Sequence, residues 1–230
     1  MRLPKTLAAV VAARRNRFVV DVEVAGGVGS AHLANSGRLT ELLLPGAPAR
    51  VTRAANPGRR TAWDLRLVAC GRQWVSVDAR LPPVLLAEAV AAGRVPVLSG
   101  ATVRREQGLG ESRIDLVART PDGVDWWIEA KSCTLVRDQV ALFPDAPTAR
   151  GARHLRELAR VAAAGGQAAV AFVVGRADAM VFRPHRAADV AFAQALAAAA
   201  AAGVQVWAFA CQVDPTEVAI TVSLPVELDG

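Results

Sequence analysis

Three residues stand out for the chemistry they could perform together: Asp115, Glu129 and Lys131. Asp115 closes the run Arg113-Ile114-Asp115, and Glu129 and Lys131 flank Ala130. Side chains alternate along a strand with a period of two, so Glu129 and Lys131 share a face, and a hairpin would bring Asp115 beside Glu129. Two carboxylates converging at a strand end can hold a hard divalent cation through oxygen, and a neighbouring ammonium can position a water or stabilise charge on a phosphate. The expected cofactor is Mg2+, or Mn2+ in its place, as one or two ions. The plain alternative is a structural ion pair between Glu129 and Lys131. Trp127, Ile128, Ala130 and Cys133 make the surrounding strand strongly apolar, a costly setting for charges that neither pair nor bind a metal. Lys131 is also one of only two lysines, with Lys5, among 27 basic residues. In so arginine-rich a chain, an interior lysine suggests a place that needs a compact ammonium rather than a guanidinium fork.

A sheet has to position these groups. Extended segments are expected at 102–106, 113–119 and 126–132, preceded by a helix over 84–92 that ends at Gly93. Thr148 is a candidate N-cap for an amphipathic helix reaching about Ala164, with Leu155, Leu158 and Ala162 on one face and Arg153, Arg156 and Arg160 on another. A continuous apolar run at 168–174 reads as a buried strand, 187–202 as another helix, and 204–209 and 218–224 as further strands. The order is helix, three strands, helix, strand. The first 80 residues read differently, as five short strands at 17–24, 28–33, 50–53, 65–69 and 74–77. Gly26-Gly27 and Pro57-Gly58 punctuate them, and Pro45-Gly46 stops one helical turn within 39–44. That inventory suits a small β-barrel of the oligonucleotide-binding type. With a boundary at Leu81-Pro82-Pro83, the expected domains are a basic barrel over 1–80 and an αβ domain over 81–230.

The 230-residue chain is 53% hydrophobic and 21% charged, a balance that excludes disorder as its main state. No apolar run of about 18 residues occurs, so no membrane partner is expected. Arg14, Arg15 and Arg17 cut short the apolar stretch at Leu7, which argues against a signal peptide and for a cytoplasmic protein. Cys70, Cys133 and Cys211 are odd in number and lack metal-ligand spacing, as buried reduced thiols would be. Residues 1–80 hold 13 basic and 5 acidic side chains, a net of +8, and the remainder 14 and 16, a net of −2. A basic field of this kind selects phosphate backbones, and no basic amphipathic helix with large aromatics favours lipid.

Asp, then Glu-x-Lys, on strands between two helices resembles the PD-(D/E)XK nuclease fold. A closer resemblance spans nearly the whole chain. Arg17-Phe18, Asp21-Val22, His32, Asn35-Ser36-Gly37-Arg38-Leu39, Leu44-Pro45-Gly46, Arg104-Arg105-Glu106, Ser112-Arg113-Ile114-Asp115, Glu129-Ala130-Lys131-Ser132, Phe143-Pro144-Asp145-Ala146, Thr148, Arg150-Gly151 and His154-Leu155 are similar to the sugar fermentation stimulation protein A (SfsA) family. Ser36 replaces the common Thr and Pro147 the usual Val. The resemblance implies an oligonucleotide-binding-like barrel followed by a PD-(D/E)XK-like domain, in a cytoplasmic bacterial or archaeal protein that binds DNA without sequence preference.

Other residues carry weaker expectations. Glu88, on the helix before the strands, and Glu106 are candidate extra metal ligands, although an exposed surface carboxylate is the simpler reading of Glu88. Arg150, Arg153 and His154 lie at the start of a helix, where phosphate could bind. Arg38, in a turn, and Arg17 are candidate DNA contacts, with Trp63 or Trp74 available either to stack on a base or to pack in the core. Two functions follow: a Mg2+-dependent nuclease acting on DNA, or a non-catalytic DNA-binding regulator of sugar (maltose-type) metabolism that retains the fold. A small-molecule enzyme has only the carboxylates to support it.

Overall fold

The computed structural model describes residues 1–56, 58–110 and 112–228, so Pro57 of the expected Pro57-Gly58 turn lies outside the described residues. The N-terminal unit is a six-stranded sheet of β1 (Leu7–Asn16), β2 (Val19–Val24), β3 (Gly27–His32), β4 (Pro48–Arg53), β5 (Trp63–Cys70) and β6 (Gln73–Ser76), ordered β3-β2-β1-β4-β5-β6. Parallel pairing of Ala31 with Trp63 and His32 with Asp64 joins β3 to β5 and closes the sheet into an oligonucleotide-binding-like barrel. Its interior is filled by side chains from every wall, among them Val20 and Val22 from β2, Val51 from β4 and Leu65 and Val68 from β5.

Five strands, β1 to β5, make the closed barrel and β6 extends it beside β5; the expected five include β6 and omit β1. The segment that ends in Arg14 and Arg15 is the long strand β1, whose first half pairs with β4 and second half with β2. Register breaks at Val11/Ala13 and Arg14/Asn16 bend it between its two partners. Trp63 and Trp74 lie partly buried, each under an arginine: Arg53 over Trp63 at 5.0 Å and Arg50 over Trp74 at 5.4 Å.

The second unit is an αβ domain with the expected order of a helix, three strands, a helix and a strand. It runs α1 (Pro82–Ala91), β7 (Thr102–Leu109), β8 (Ser112–Arg119), β9 (Asp125–Cys133), β10 (Leu135–Arg137), β11 (Val140–Phe143), α2 (Ala149–Ala163), β12 (Gln167–Val174), β13 (Val181–Pro184), α3 (Val190–Ala201), β14 (Gln205–Val213) and β15 (Val218–Leu224). The main sheet is ordered β15-β14-β12-β9-β8-β7, with β9, β12 and β14 parallel, and β10-β11-β13 forms a small side sheet. The β10-β11 hairpin and β13 are additions to the expected order.

β12 is apolar on both sides because both faces are covered. Ala169, Ala171 and Val173 pack with Leu85, Leu86 and Ala89 of α1, while Val170, Phe172 and Val174 pack with Leu155 and Leu158 of α2 and Phe192 and Leu196 of α3. Thr148 caps α2 by accepting the Gly151 N–H at 3.1 Å. The two units meet closely: Ser76 donates its N–H to the Gly175 carbonyl at 2.8 Å, and a Cβ on Gly175 would lie 2.7 Å from the Ser76 oxygen. Only glycine permits that approach. Among the described residues no helix is long and apolar enough to cross a membrane.

Candidate functional site

β8 and β9 pair from Arg119 with Asp125 to Leu116 with Ile128, and there the ladder ends. Its next position would set Asp115 opposite Glu129. Instead the Asp115 carboxylate turns into the opening and its Oδ2 accepts the Ala130 N–H at 2.9 Å. A side-chain oxygen thereby takes the place of a ladder carbonyl, and the sheet opens at the two acids.

On β9, Trp126, Ile128 and Ala130 pack toward α1, and the intervening residues Trp127, Glu129, Lys131 and Cys133 face α2. Glu129 is 3% exposed. Its Oε1 accepts from Lys131 Nζ at 2.5 Å and from His154 Nδ1, while its Oε2 is buried and has no hydrogen-bond partner among the described residues. Arg150 donates from Nε to His154 Nε2 at 3.4 Å, which makes Nε2 the acceptor and leaves Nδ1–H to donate to Glu129.

Burial, followed by the nearby Glu129 charge, pushes the Asp115 acid up to about 6. Burial acts the same way on Glu129, but the hydrogen bond from His154 and the Lys131 charge outweigh it and hold Glu129 below the usual carboxylate range. One carboxylate is thus firmly ionised beside another that resists ionisation, and the ionised one keeps an unused buried oxygen. Such a pair is suited to a divalent cation, whose charge would favour both ionised forms. Asp115 and Glu129 are the residues able to hold it; among the described residues no three His, Cys, Asp or Glu side chains converge as a metal set.

The structure does not bring the other proposed ligands to this point. Glu88 sits on α1, which covers the opposite face of the sheet, and pairs with the Met1 ammonium at 2.7 Å. Glu106 occupies the position across from Asp115 on β7, but the ladder skips it; its backbone takes a left-handed φ of 57° and its exposed carboxylate pairs with Arg113 at 2.8 Å. His154 requires a correction as a DNA contact: it is 2% exposed and bound to Glu129, because it falls on the buried stripe of α2 with Gly151, Leu155 and Leu158. Its spacing with those residues is the sequence signal for an inward-facing histidine. Arg150 and Arg153 are exposed on α2, and Arg17 and Arg38 lie at the barrel's edge beside the second domain.

Asp145 and Arg14 build that edge, and neither role is apparent from the chain alone. The Asp145 carboxylate reaches across the domains to accept the Leu39 N–H at 3.1 Å, and a Cβ on Gly37 would lie 2.5 Å from its Oδ2. Leu39 itself holds a left-handed φ of 50°, unusual for a bulky residue. Arg14 donates to the carbonyls of Arg17, Gly37 and Arg38, lacing the turn after β1 to the 35–39 loop.

Comparison with known proteins gives two family matches: residues 13–77 match the SfsA N-terminal OB domain, and residues 80–217 match the sugar fermentation stimulation protein RE domain. The sugar fermentation stimulation protein homolog of Moorella thermoacetica is 41% identical, with 99% of this chain and 100% of that protein covered. The homolog of Symbiobacterium thermophilum is 44% identical, with 94% and 92% covered. Among solved structures, Pyrococcus furiosus SfsA in complex with Ca2+ superposes with a TM-score of 0.92 at 29% identity, covering 99% of this chain and 98% of that one.

Proposed function

The chain belongs to the sugar fermentation stimulation protein (SfsA) family, and on that footing we propose that it is a cytoplasmic DNA-binding protein whose second domain hydrolyses phosphodiesters with Mg2+ or Mn2+. The observation that carries this reading is the buried Oε2 of Glu129, which has no hydrogen-bond partner among the described residues, beside an Asp115 that resists ionisation. Mg2+ takes one or two carboxylates and retains water for its other positions, which matches a site of two acids. The Pyrococcus furiosus relative binds Ca2+, another hard oxygen-seeking cation, and supports a divalent site in this family.

When bound, the cation would supply Lewis-acid stabilisation of the phosphate and a more acidic water. The chain's own groups do the rest. His154 and Lys131 fix the Glu129 carboxylate through Oε1 and leave Oε2 without a partner among the described residues. The Ala130 N–H orients Asp115. The Lys131 ammonium has three donors, of which Glu129 uses one, leaving others for an attacking water or a phosphate oxygen.

The net charge of +8 over residues 1–80 supports DNA as the partner, bound mainly through counterion release and therefore without sequence preference. The free cysteines suit a reducing compartment.

A second reading has one observation in its favour. Oε1 of Glu129 is already neutralised by Lys131 and satisfied by His154, a self-contained cluster that a non-catalytic DNA-binding regulator of sugar metabolism could retain for structure. Incubating the protein with labelled single-stranded, duplex and flap DNA, with Mg2+, with Mn2+ and with chelator, separates the two. Metal-dependent cleavage is expected; salt-sensitive binding with every substrate intact leaves the regulator.

A further inference from the structure

Two side chains at the barrel's edge stand exposed where packing gives them no use. Phe18, at the tip of the turn between β1 and β2, is 45% exposed, and the Arg17 guanidinium lies 5.6 Å from its ring centre. Arg38, at the tip of the 35–39 loop, is exposed, and among the described residues its guanidinium has no partner. These tips are held together. Arg14 binds carbonyls on both, and Arg17 Nε donates to the Ser36 carbonyl at 3.1 Å. An aromatic face and two cations are therefore presented in fixed relation, without ordering on contact.

The patch opens into the interdomain space. Arg17 and Arg38 line a shallow cleft of about 430 Å³, and Arg17 also lines a second of about 160 Å³. Ser132 and Thr148 line that second cleft as well. Ser132 follows Lys131 on β9, and Thr148 caps the helix that carries His154. An interdomain cleft thus lies between Arg17 and the residue that follows Lys131.

We infer that Phe18, Arg17 and Arg38 form a seat for single-stranded DNA, with one base stacked on Phe18 and its flanking phosphates at the two arginines, beside the interdomain cleft. The inference rests on the proposed DNA-binding function and specifies which form of DNA is taken. Cations alone accept duplex and single strand alike, because both offer phosphates. A solitary exposed ring is different: a base inside a duplex has both faces covered by its neighbours, so only an unpaired base can use it.

The test is fluorescence anisotropy of the full chain with labelled oligo(dT) and with a hairpin duplex of equal phosphate count, in chelator so that nothing is cleaved. Phe18→Ala is expected to weaken oligo(dT) binding about 5- to 150-fold, the range for loss of one base–aromatic stack, and to leave the duplex unaffected. Phe18→Tyr keeps the ring and should retain the parent affinity. Arg38→Ala should weaken both and lower the single-strand salt slope by about 0.7, the loss of one phosphate contact. Both positions are exposed, so folding is not in question. If the parent binds DNA but Phe18→Ala changes neither substrate, or weakens both equally, the seat is refuted and the DNA-binding function stands. A parent protein with no affinity for either oligonucleotide removes that function and the seat with it.

Discussion

Asp115→Asn should stabilise the protein. Burial and the Glu129 charge raise the Asp115 acid from 3.8 to about 6, which corresponds to roughly 3 kcal/mol of penalty on the ionised form. A carboxyl with a folded pKa above its unfolded one binds a proton more readily in the native state. Stability therefore falls as pH rises from about 4 to 6, and the full penalty remains at every higher pH. Asparagine has nearly the same shape, and its Oδ1 can still accept the Ala130 N–H, but it carries no charge to bury. The variant should gain up to about 3 kcal/mol over the parent at pH 8 and almost nothing near pH 4, where the native acid is already neutral. In a domain of this size each kcal/mol is worth about 2–4 °C in Tm. Magnesium should narrow the gap from the other side. Saturation at about 100 times its Kd adds about 2.7 kcal/mol to a protein that binds it, and less to one lacking a charged ligand. The assay is thermal or urea denaturation of both proteins near pH 4 and pH 8, with and without MgCl2. An Asp115→Asn variant less stable than the parent at pH 8, or one that gains as much from magnesium as the parent does, would refute the reasoning.

Lys131→Arg should keep DNA binding and lose cleavage, since the wider guanidinium can still pair with Glu129 but displaces any water held by the ammonium; equal metal-dependent rates at equal DNA occupancy would remove Lys131 from the chemistry. His154→Ala should cost about 1–3 kcal/mol in urea denaturation at neutral pH by taking one donor from the buried Glu129 carboxylate, and an unchanged midpoint would mean that bond is idle. Gly37→Ala should destabilise the protein by about 1–3 kcal/mol, because its new Cβ would lie 2.5 Å from Asp145 Oδ2; combining it with Asp145→Ala should relieve the clash, and a tolerated single variant would show that the loop has room.

The amino-acid sequence by itself determined the parts that depend on local pattern. A period of two put Glu129 and Lys131 on one face of β9, the unbroken apolar run of β12 announced a strand covered on both sides, and Thr148 before an amphipathic stretch marked the start of α2. β1 escaped this kind of reading because Leu-Ala-Ala-Val-Val-Ala-Ala is rich in a helix former and shows no polar alternation. It is a strand only because β2 and β4 pair with it, and that pairing is tertiary. The same distinction divides the site. Asp115 and Glu129 were recognisable as residue types, but the end of the β8–β9 ladder beside them, and hence the opening between the acids, exists only in the folded sheet. His154 reaches Glu129 from 25 residues away, and Asp145 reaches Leu39 from 106. Local propensity carries no information about contacts at such separations; packing of α2 on the sheet and docking of the barrel on the second domain decide them. For the same reason Glu88 and Glu106, acids of the right type near the right elements, face elsewhere: side-chain direction depends on which face the helix buries and on one left-handed φ.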